Sequence, residues 1–211
     1  MPRGQDALRL CAMPLNVRGF EIYSGYFDVS EQTFLVEEIR SCLRAAPLFQ
    51  PVTPRGNPMS VRMSSAGQFG WVSDRQGYRY EPKHPSGVAW PAIPERLLET
   101  WRDLLPTARP PECCLINWYA SDAKMGMHQD KDEADMDQPV VSVSLGDEAL
   151  FRMGNQTKGG KTESIWLRSG DVVVMNGPAR RAFHGIDRVR ANSSTLLPNG
   201  GRINLTLRVV T

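Results

Sequence analysis

A histidine and an aspartate two positions apart, His128 and Asp130, with a single histidine far downstream at His184, constrain this chain more than anything else in it. In an extended strand, residues i and i+2 point to the same side, so the His128 imidazole and the Asp130 carboxylate can reach one metal ion together. The third ligand has to come from another strand, which demands a sheet that brings distant segments side by side. Two imidazoles and one carboxylate on one face of an octahedral ion leave three positions open, as non-haem Fe(II) oxygenases require for a co-substrate and oxygen. The pattern uses two of the three histidines in the chain. Taken alone, so short a motif is also compatible with chance spacing, and the same three ligands would suit a hydrolytic zinc with water in the fourth position.

The segment from Arg202 to Val209 alternates polar and apolar residues without a break, the period of a strand with two unlike faces. Arg202, Asn204, Thr206 and Arg208 share one face. By itself that face reads as solvated. Beside a metal triad it offers two guanidiniums and an amide, and guanidinium forks bind carboxylates bidentately, which suits a dicarboxylate co-substrate. The two arginine Cα atoms would lie about 20 Å apart at roughly 3.3 Å per residue, so both can serve one small molecule only if their side chains converge. Asn117 and Tyr119 repeat the same-face spacing shortly before His128.

From Cys113 onward the pattern is one of short β-type runs: Cys114 to Tyr119, Val140 to Leu145, Leu150 to Met153, Ser164 to Leu167, Asp171 to Met175 and Arg202 to Val210. Gly and Asn breaks separate several of them, as in a jelly roll. Two helices precede these runs. The first is expected over Ser30 to Ala46, with Ser30 as cap, Phe34, Leu35, Ile39, Leu43 and Ala46 on one face, and Pro47 as the stop. The second is expected over Pro94 to Leu105, with Leu97, Leu98, Trp101, Leu104 and Leu105 as its buried side. Both read as scaffold for a sheet, giving a mainly β chain with flanking helices (α+β).

Between the helices, Gln50 to Pro85 carries Arg55, Arg62, Arg75, Arg79 and Lys83 against only Asp74 and Glu81, interleaved with Phe69, Trp71, Tyr78 and Tyr80. Cations can follow phosphates while an aromatic face stacks on an unpaired base, although an ordinary hairpin packing its rings on a core has the same composition. The overall balance of 25 basic and 23 acidic side chains is too even to announce nucleic acid, so any electrostatic footprint has to be local. No run approaches the roughly 18 apolar residues of a membrane span, and Met1 to Phe20 lacks the apolar core of a signal peptide, which makes a soluble cytoplasmic protein the expectation. Cys11, Cys42, Cys113 and Cys114 form neither a disulfide framework nor a zinc knuckle and read as reduced thiols. The acidic run from Asp130 to Asp137 fails as an EF-hand loop, since Ala134, Asp135 and Val141 stand where the fifth ligand, the glycine and the final glutamate belong.

Taken together, Asn117-Trp118-Tyr119, His128-Gln129-Asp130-Lys131-Asp132-Glu133, Ser169 to Val174, His184-Gly185 and Arg202 to Arg208 resemble the AlkB family of iron- and 2-oxoglutarate-dependent nucleic-acid dealkylases, the bacterial type in particular. The resemblance runs from about Met59 to Arg208. It implies a double-stranded β-helix (jelly roll) with an N-terminal nucleotide-recognition lid, divided as an extension and scaffold helix over 1–49, a lid over 50–90, and a helix with the catalytic core over 91–211, all in one folded domain. It further implies Fe(II) on His128, Asp130 and His184. Arg202, Asn204 and Tyr119 would hold the distal carboxylate of 2-oxoglutarate, with Arg208 and Asn117 at the end near the metal, and O2 as second co-substrate. On the same basis Trp71 stacks on the damaged base, Tyr78 meets its phosphate, Met59 and Met63 pack beneath the lid, and Asp132 accepts from the exocyclic amino group of the base. Lys158 stands near an expected substrate-loop arginine, and Met175 stands where bacterial relatives tend to have an aromatic residue.

The implied reaction is oxidative demethylation of 1-methyladenine and 3-methylcytosine type lesions in single-stranded DNA, the choice between DNA and RNA being left open by the sequence, by a monomer without a membrane or an obligate protein partner. Flipping a base costs a few kcal/mol, least where the lesion already spoils pairing. Glu133, Asp135 and Asp137 read as solvated charge. The alternatives are a 2-oxoglutarate-dependent hydroxylase of a protein or small molecule, a zinc hydrolase, and a non-catalytic binding module that has kept only the fold.

Overall fold

A computed structural model describes residues 13–211, so Cys11 and most of the 1–49 extension's start lie outside the described residues. In chain order the strands are β1 (Leu15–Val17), β2 (Phe20–Tyr23), β3 (Arg62–Gly67), β4 (Gly70–Asp74), β5 (Gly77–Glu81), β6 (Cys113–Tyr119) and β7 (Met125–His128). They continue with β8 (Val140–Gly146), β9 (Glu148–Met153), β10 (Glu163–Leu167), β11 (Val172–Met175), β12 (His184–Arg190) and β13 (Arg202–Arg208). Two helices, α1 (Val29–Ala45) and α2 (Glu95–Leu104), interrupt them.

The strands form a large sheet in the order β1-β2-β11-β8-β13-β6-β3, a smaller one in the order β10-β9-β12-β7, and the separate hairpin β4-β5. All pairings are antiparallel. The large sheet is covered on both sides. Leu35 and Ile39 of α1 and Leu97 and Trp101 of α2 share one apolar cluster with Ile116, Val141, Val143, Val174, Leu205 and Leu207, so the helices do serve as scaffold. A second cluster joins Phe20, Val140, Val173 and Met175 of the large sheet to Phe151, Met153, Leu167 and Ile186 of the small one. This is the jelly-roll arrangement, and the expected mainly β fold with flanking helices is what the chain adopts.

Double coverage explains β13. Its apolar side chains Ile203, Leu205 and Leu207 pack toward the helices, and every residue of the strand, polar ones included, is buried. The polar face therefore does not meet solvent. It meets the interior between the sheets, where polar groups need partners.

Helix α1 starts earlier than the sequence suggests. Asp28, not Ser30, is its cap: the Asp28 carboxylate accepts from Glu31 N at 2.9 Å, and Glu31 returns a bond from Asp28 N at 2.9 Å, a reciprocal capping box. Ser30 Oγ instead donates to that same Asp28 carboxylate. Phe34 is also misplaced by the sequence reading, being 59% exposed, because Leu35, Val36, Ile39 and Cys42 form the buried stripe. Cys42, Cys113 and Cys114 are free and buried, as expected of reduced thiols.

Candidate active site

Strands β7 and β12 lie antiparallel with His128 directly opposite His184, which places two histidines 56 positions apart in sequence on neighbouring backbones. Gly185 makes that approach possible. A Cβ at this position would stand 2.6 Å from Met125 O and 2.9 Å from Gly126 O, so a side chain would push β12 off β7. Strand β7 ends at His128, and Asp130 sits just beyond it, so the carboxylate joins the histidines from a segment that has left the ladder. The ring centroids of His128 and His184 are 4.6 Å apart. Asp130 Oδ1 is 3.6 Å from His128 Nε2, and Oδ2 is 3.7 Å from His184 Nε2. One ligand atom from each of the three residues lies within 4.8 Å of the others.

The surroundings prepare these atoms for a cation. His128 Nδ1 lies 2.9 Å from Gly126 O and His184 Nδ1 lies 3.1 Å from Ala182 O, and a carbonyl can only accept. Each Nδ1 therefore carries the proton and each Nε2 turns a lone pair toward the site. Burial lowers the His184 pKa to about 4, against the opposing pull of Asp130, so the ring is neutral at physiological pH. Burial disfavours the charged Asp130, yet the neighbouring cations, Arg208 foremost, outweigh it and hold the carboxyl well below the usual range. Asp130 Oδ2 is buried and makes no hydrogen bond, although Arg208 Nη2 lies 3.0 Å away. A buried, ionised oxygen of this kind, beside two imidazole lone pairs, fits a divalent cation.

Behind the triad, β13 pairs with β6 and β8 and lines a cavity of about 510 Å³ that also contains the triad. Arg202 is 1% exposed, lies 5.0 Å over the Tyr119 ring and donates from Nη2 to Ser144 Oγ at 3.1 Å. Its Nε and Nη1 have no partner. Burial pushes the Arg202 pKa down, with Tyr119 opposing. A buried guanidinium with two idle donors is costly unless an anion completes it, and a carboxylate fits that fork. Asn204 donates from Nδ2 to Ser142 Oγ at 2.7 Å and accepts from Thr206 Oγ1 at 3.2 Å. Asn117 Oδ1 and Arg208 Nε are likewise buried and unpaired. The residues present thus fit iron(II) and a dicarboxylate together.

The more open side of the same cavity, its mouth, carries Met59, Trp71, Tyr78 and Asp132, while Met63, 2% exposed, lines it from the core. The β4-β5 hairpin brings Trp71 and Tyr78 together as stacked rings, centroids 5.5 Å apart and 15° from parallel. Trp71 Nε1 donates to Asp132 Oδ2 at 2.8 Å, tying the hairpin to the loop that follows Asp130. Lys158 is exposed in the loop between β9 and β10 and does not line the cavity. Met175 does line it.

Glu133 is not solvated, contrary to the sequence reading. It is 5% exposed and accepts from Tyr80 Oη at 2.5 Å, Arg208 Nη1 at 2.7 Å and Arg180 Nη2 at 3.0 Å. Asp137 is exposed and Asp135 partly so, as expected of loop carboxylates. Sequence reasoning also missed Arg180, whose partners Asp130, Glu133 and Gln138 all lie in the loop between β7 and β8, 42 to 50 positions away, and leave no local trace.

A sequence profile described as the 2OG-Fe(II) oxygenase superfamily matches residues 19–208. The chain is 49% identical over 203 residues to the "Alpha-ketoglutarate-dependent dioxygenase AlkB homolog" of Caulobacter vibrioides (strain NA1000 / CB15N), covering 95% of this chain and 92% of that protein. It is 40% identical over 187 residues to "Alpha-ketoglutarate-dependent dioxygenase AlkB" of Escherichia coli (strain K12), covering 86% and 85%. A solved structure described as "The structure of OsALKBH1" superposes with a TM-score of 0.80 at 27% identity, covering 93% of this chain and 99% of that one.

Proposed function

This chain belongs to the 2OG-Fe(II) oxygenase superfamily and, within it, to the bacterial type of the AlkB family, and we propose that it demethylates N-alkylated bases in single-stranded DNA by direct reversal. When bound, iron(II) with 2-oxoglutarate and O2 supplies the oxidising power that hydroxylates the N-methyl group, yielding succinate, CO2 and formaldehyde and restoring the base. The single observation that carries the reading is the shared cavity. It joins a cation triad, a buried arginine with idle donors and a mouth of stacked aromatics beside an exposed carboxylate.

The residues divide the work. His128, Asp130 and His184 hold the iron. Arg202 grips the distal carboxylate of 2-oxoglutarate with Asn204 and Tyr119 around it, while Arg208 and Asn117 serve the end near the metal. Trp71 stacks on the flipped base, Tyr78 meets its phosphate, Met59 and Met63 form the apolar support, and Asp132 accepts from the exocyclic amino group of adenine or cytosine. Lys158 contributes charge toward the strand from its outlying loop. Residues 50–90 act as the recognition lid of one folded domain. No helix among the described residues is long and apolar enough to cross a membrane. We propose further that it acts in the cytoplasm as a monomer, on DNA or on RNA.

The test is direct. Protein with Fe(II) and 2-oxoglutarate is given oligonucleotides bearing 1-methyladenine or 3-methylcytosine, with and without oxygen, and methyl loss is followed by mass spectrometry. Oxygen-dependent loss of the methyl group is expected. Succinate formation that methylated oligonucleotides fail to stimulate would instead mark a hydroxylase of proteins or small molecules.

A further inference from the structure

The metal triad is braced from behind by Glu133, Tyr80 and Arg180, which the proposed reaction does not itself use, acting through Arg208. Glu133 sits where three donors converge: the hydroxyl of Tyr80 on β5, Arg208 Nη1 on β13, and Arg180 Nη2 in the 3-10 turn Gly177–Arg181. Arg180 also donates from Nη1 to Asp130 O at 2.6 Å and from Nε to Gln138 O at 2.7 Å. Arg180 is 3% exposed and Arg208 7%, so two guanidiniums and two carboxylates, Asp130 and Glu133, form a balanced set in the interior.

The balance decides what Arg208 does to the metal ligand. Arg208 Nη2 stands 3.0 Å from Asp130 Oδ2 without hydrogen-bond geometry, because Nη1 is committed to Glu133. A buried guanidinium deprived of that second carboxylate would turn its whole charge on Asp130 and compete for the lone pair that a metal needs. We propose that Glu133 is a positioning residue: by engaging Arg208 and Arg180 it keeps Asp130 Oδ2 available to the metal, and through Tyr80 it ties this brace to the recognition hairpin. The inference rests on the reading of His128, Asp130 and His184 as iron ligands.

Glu133→Gln is the informative change. All three neighbours of Glu133 are donors, while an amide offers one acceptor oxygen and turns two hydrogens toward the rest. In the full chain loaded with Co(II) as a stand-in for iron, affinity is measured by competition with a chelator, alongside circular dichroism and the thermal midpoint. Glu133→Gln is expected to hold Co(II) about 10- to 100-fold more weakly while folded, the usual scale for partners of metal ligands. A purely structural role would lower the midpoint and leave the affinity of the folded protein within twofold of wild type, which overturns the proposal. Should Glu133→Gln fail to fold, Tyr80→Phe decides, since it deletes one donor and no charge. A loss of about two- to tenfold in Co(II) affinity supports the proposal, and an unchanged affinity overturns it. Equal retention of Co(II) by wild type and Asp130→Ala would bring down the ligand assignment and, with it, this inference. Loss in Asp130→Ala without loss in Glu133→Gln would bring down the inference alone.

Discussion

The floor of the cavity and its mouth are built on opposite terms. On the floor, Arg202, Asn204 and Arg208 are at least nine-tenths buried and several of their polar atoms have no partner within the protein. At the mouth, Trp71 is satisfied by Asp132, and on the opposite face of the same hairpin Arg79 of β5 is satisfied by Asp74 at 2.8 Å and Glu81 at 2.5 Å, all three partly open to solvent. Unpaired buried donors are rare because they are costly, so the floor is made for a ligand that supplies the missing acceptors. The mouth is complete without one. A substrate there exchanges existing contacts for new ones, which makes the floor the source of obligatory binding and the mouth the source of choice.

The largest effect should come from the triad. Asp130→Ala removes one of three proposed protein ligands and leaves Arg208 facing an empty site, so both Co(II) binding and methyl removal should fall to background. Full activity in the purified variant would sink the iron assignment. Next comes the floor arginine. Arg202→Ala should leave metal affinity intact yet raise the 2-oxoglutarate requirement at least about a hundredfold, since removing one partner of a buried ion pair costs about 3–5 kcal/mol. An unaltered co-substrate titration would erase the contrast between floor and mouth.

Changes at the mouth should be smaller and dependent on the lesion. Trp71→Ala should weaken oligonucleotide use by about 1–3 kcal/mol, the contribution of one stacked base, while slow substrate-free succinate formation persists. Asp132→Ala should depress repair of adenine and cytosine lesions more than of lesions on bases without an exocyclic amino group. Because Trp71 Nε1 is bonded to Asp132, the double variant should fall short of the sum of the single losses. Strict additivity in oligonucleotide kinetics would show that the two act separately. The smallest effect belongs to Arg79→Ala, whose exposed ion pairs are screened by solvent; its thermal midpoint and 2-oxoglutarate titration should match wild type.

What the sequence by itself determined is what depends on local order. The two-residue spacing of His128 and Asp130, the unbroken alternation from Arg202 to Val209 and the aromatic-basic run before Pro85 are periodic or compositional signals, and the structure brings His128, Asp130, the polar face of β13, Trp71 and Tyr78 to one cavity, whereas Arg55, Arg62, Arg75, Arg79 and Lys83 do not line it. The ends of the six core strands read from the sequence came within a residue or two for the same reason, but β7 and β12, which carry His128 and His184, were not among them. Short flanking strands were not legible: β1 and β2 have three and four residues and exist because β11 accepts β2 along its edge. The tertiary structure alone decided whether a charge is inside. Nothing in the run Asp130 to Asp137 distinguishes Glu133 from Asp137, yet one is sealed among Tyr80, Arg180 and Arg208 and the other is exposed. Likewise the polar face of β13 could have met water. It is buried because a second sheet closes over it while the helices occupy its other side, and burial is a property of what packs against a strand, which the strand's own residues do not encode.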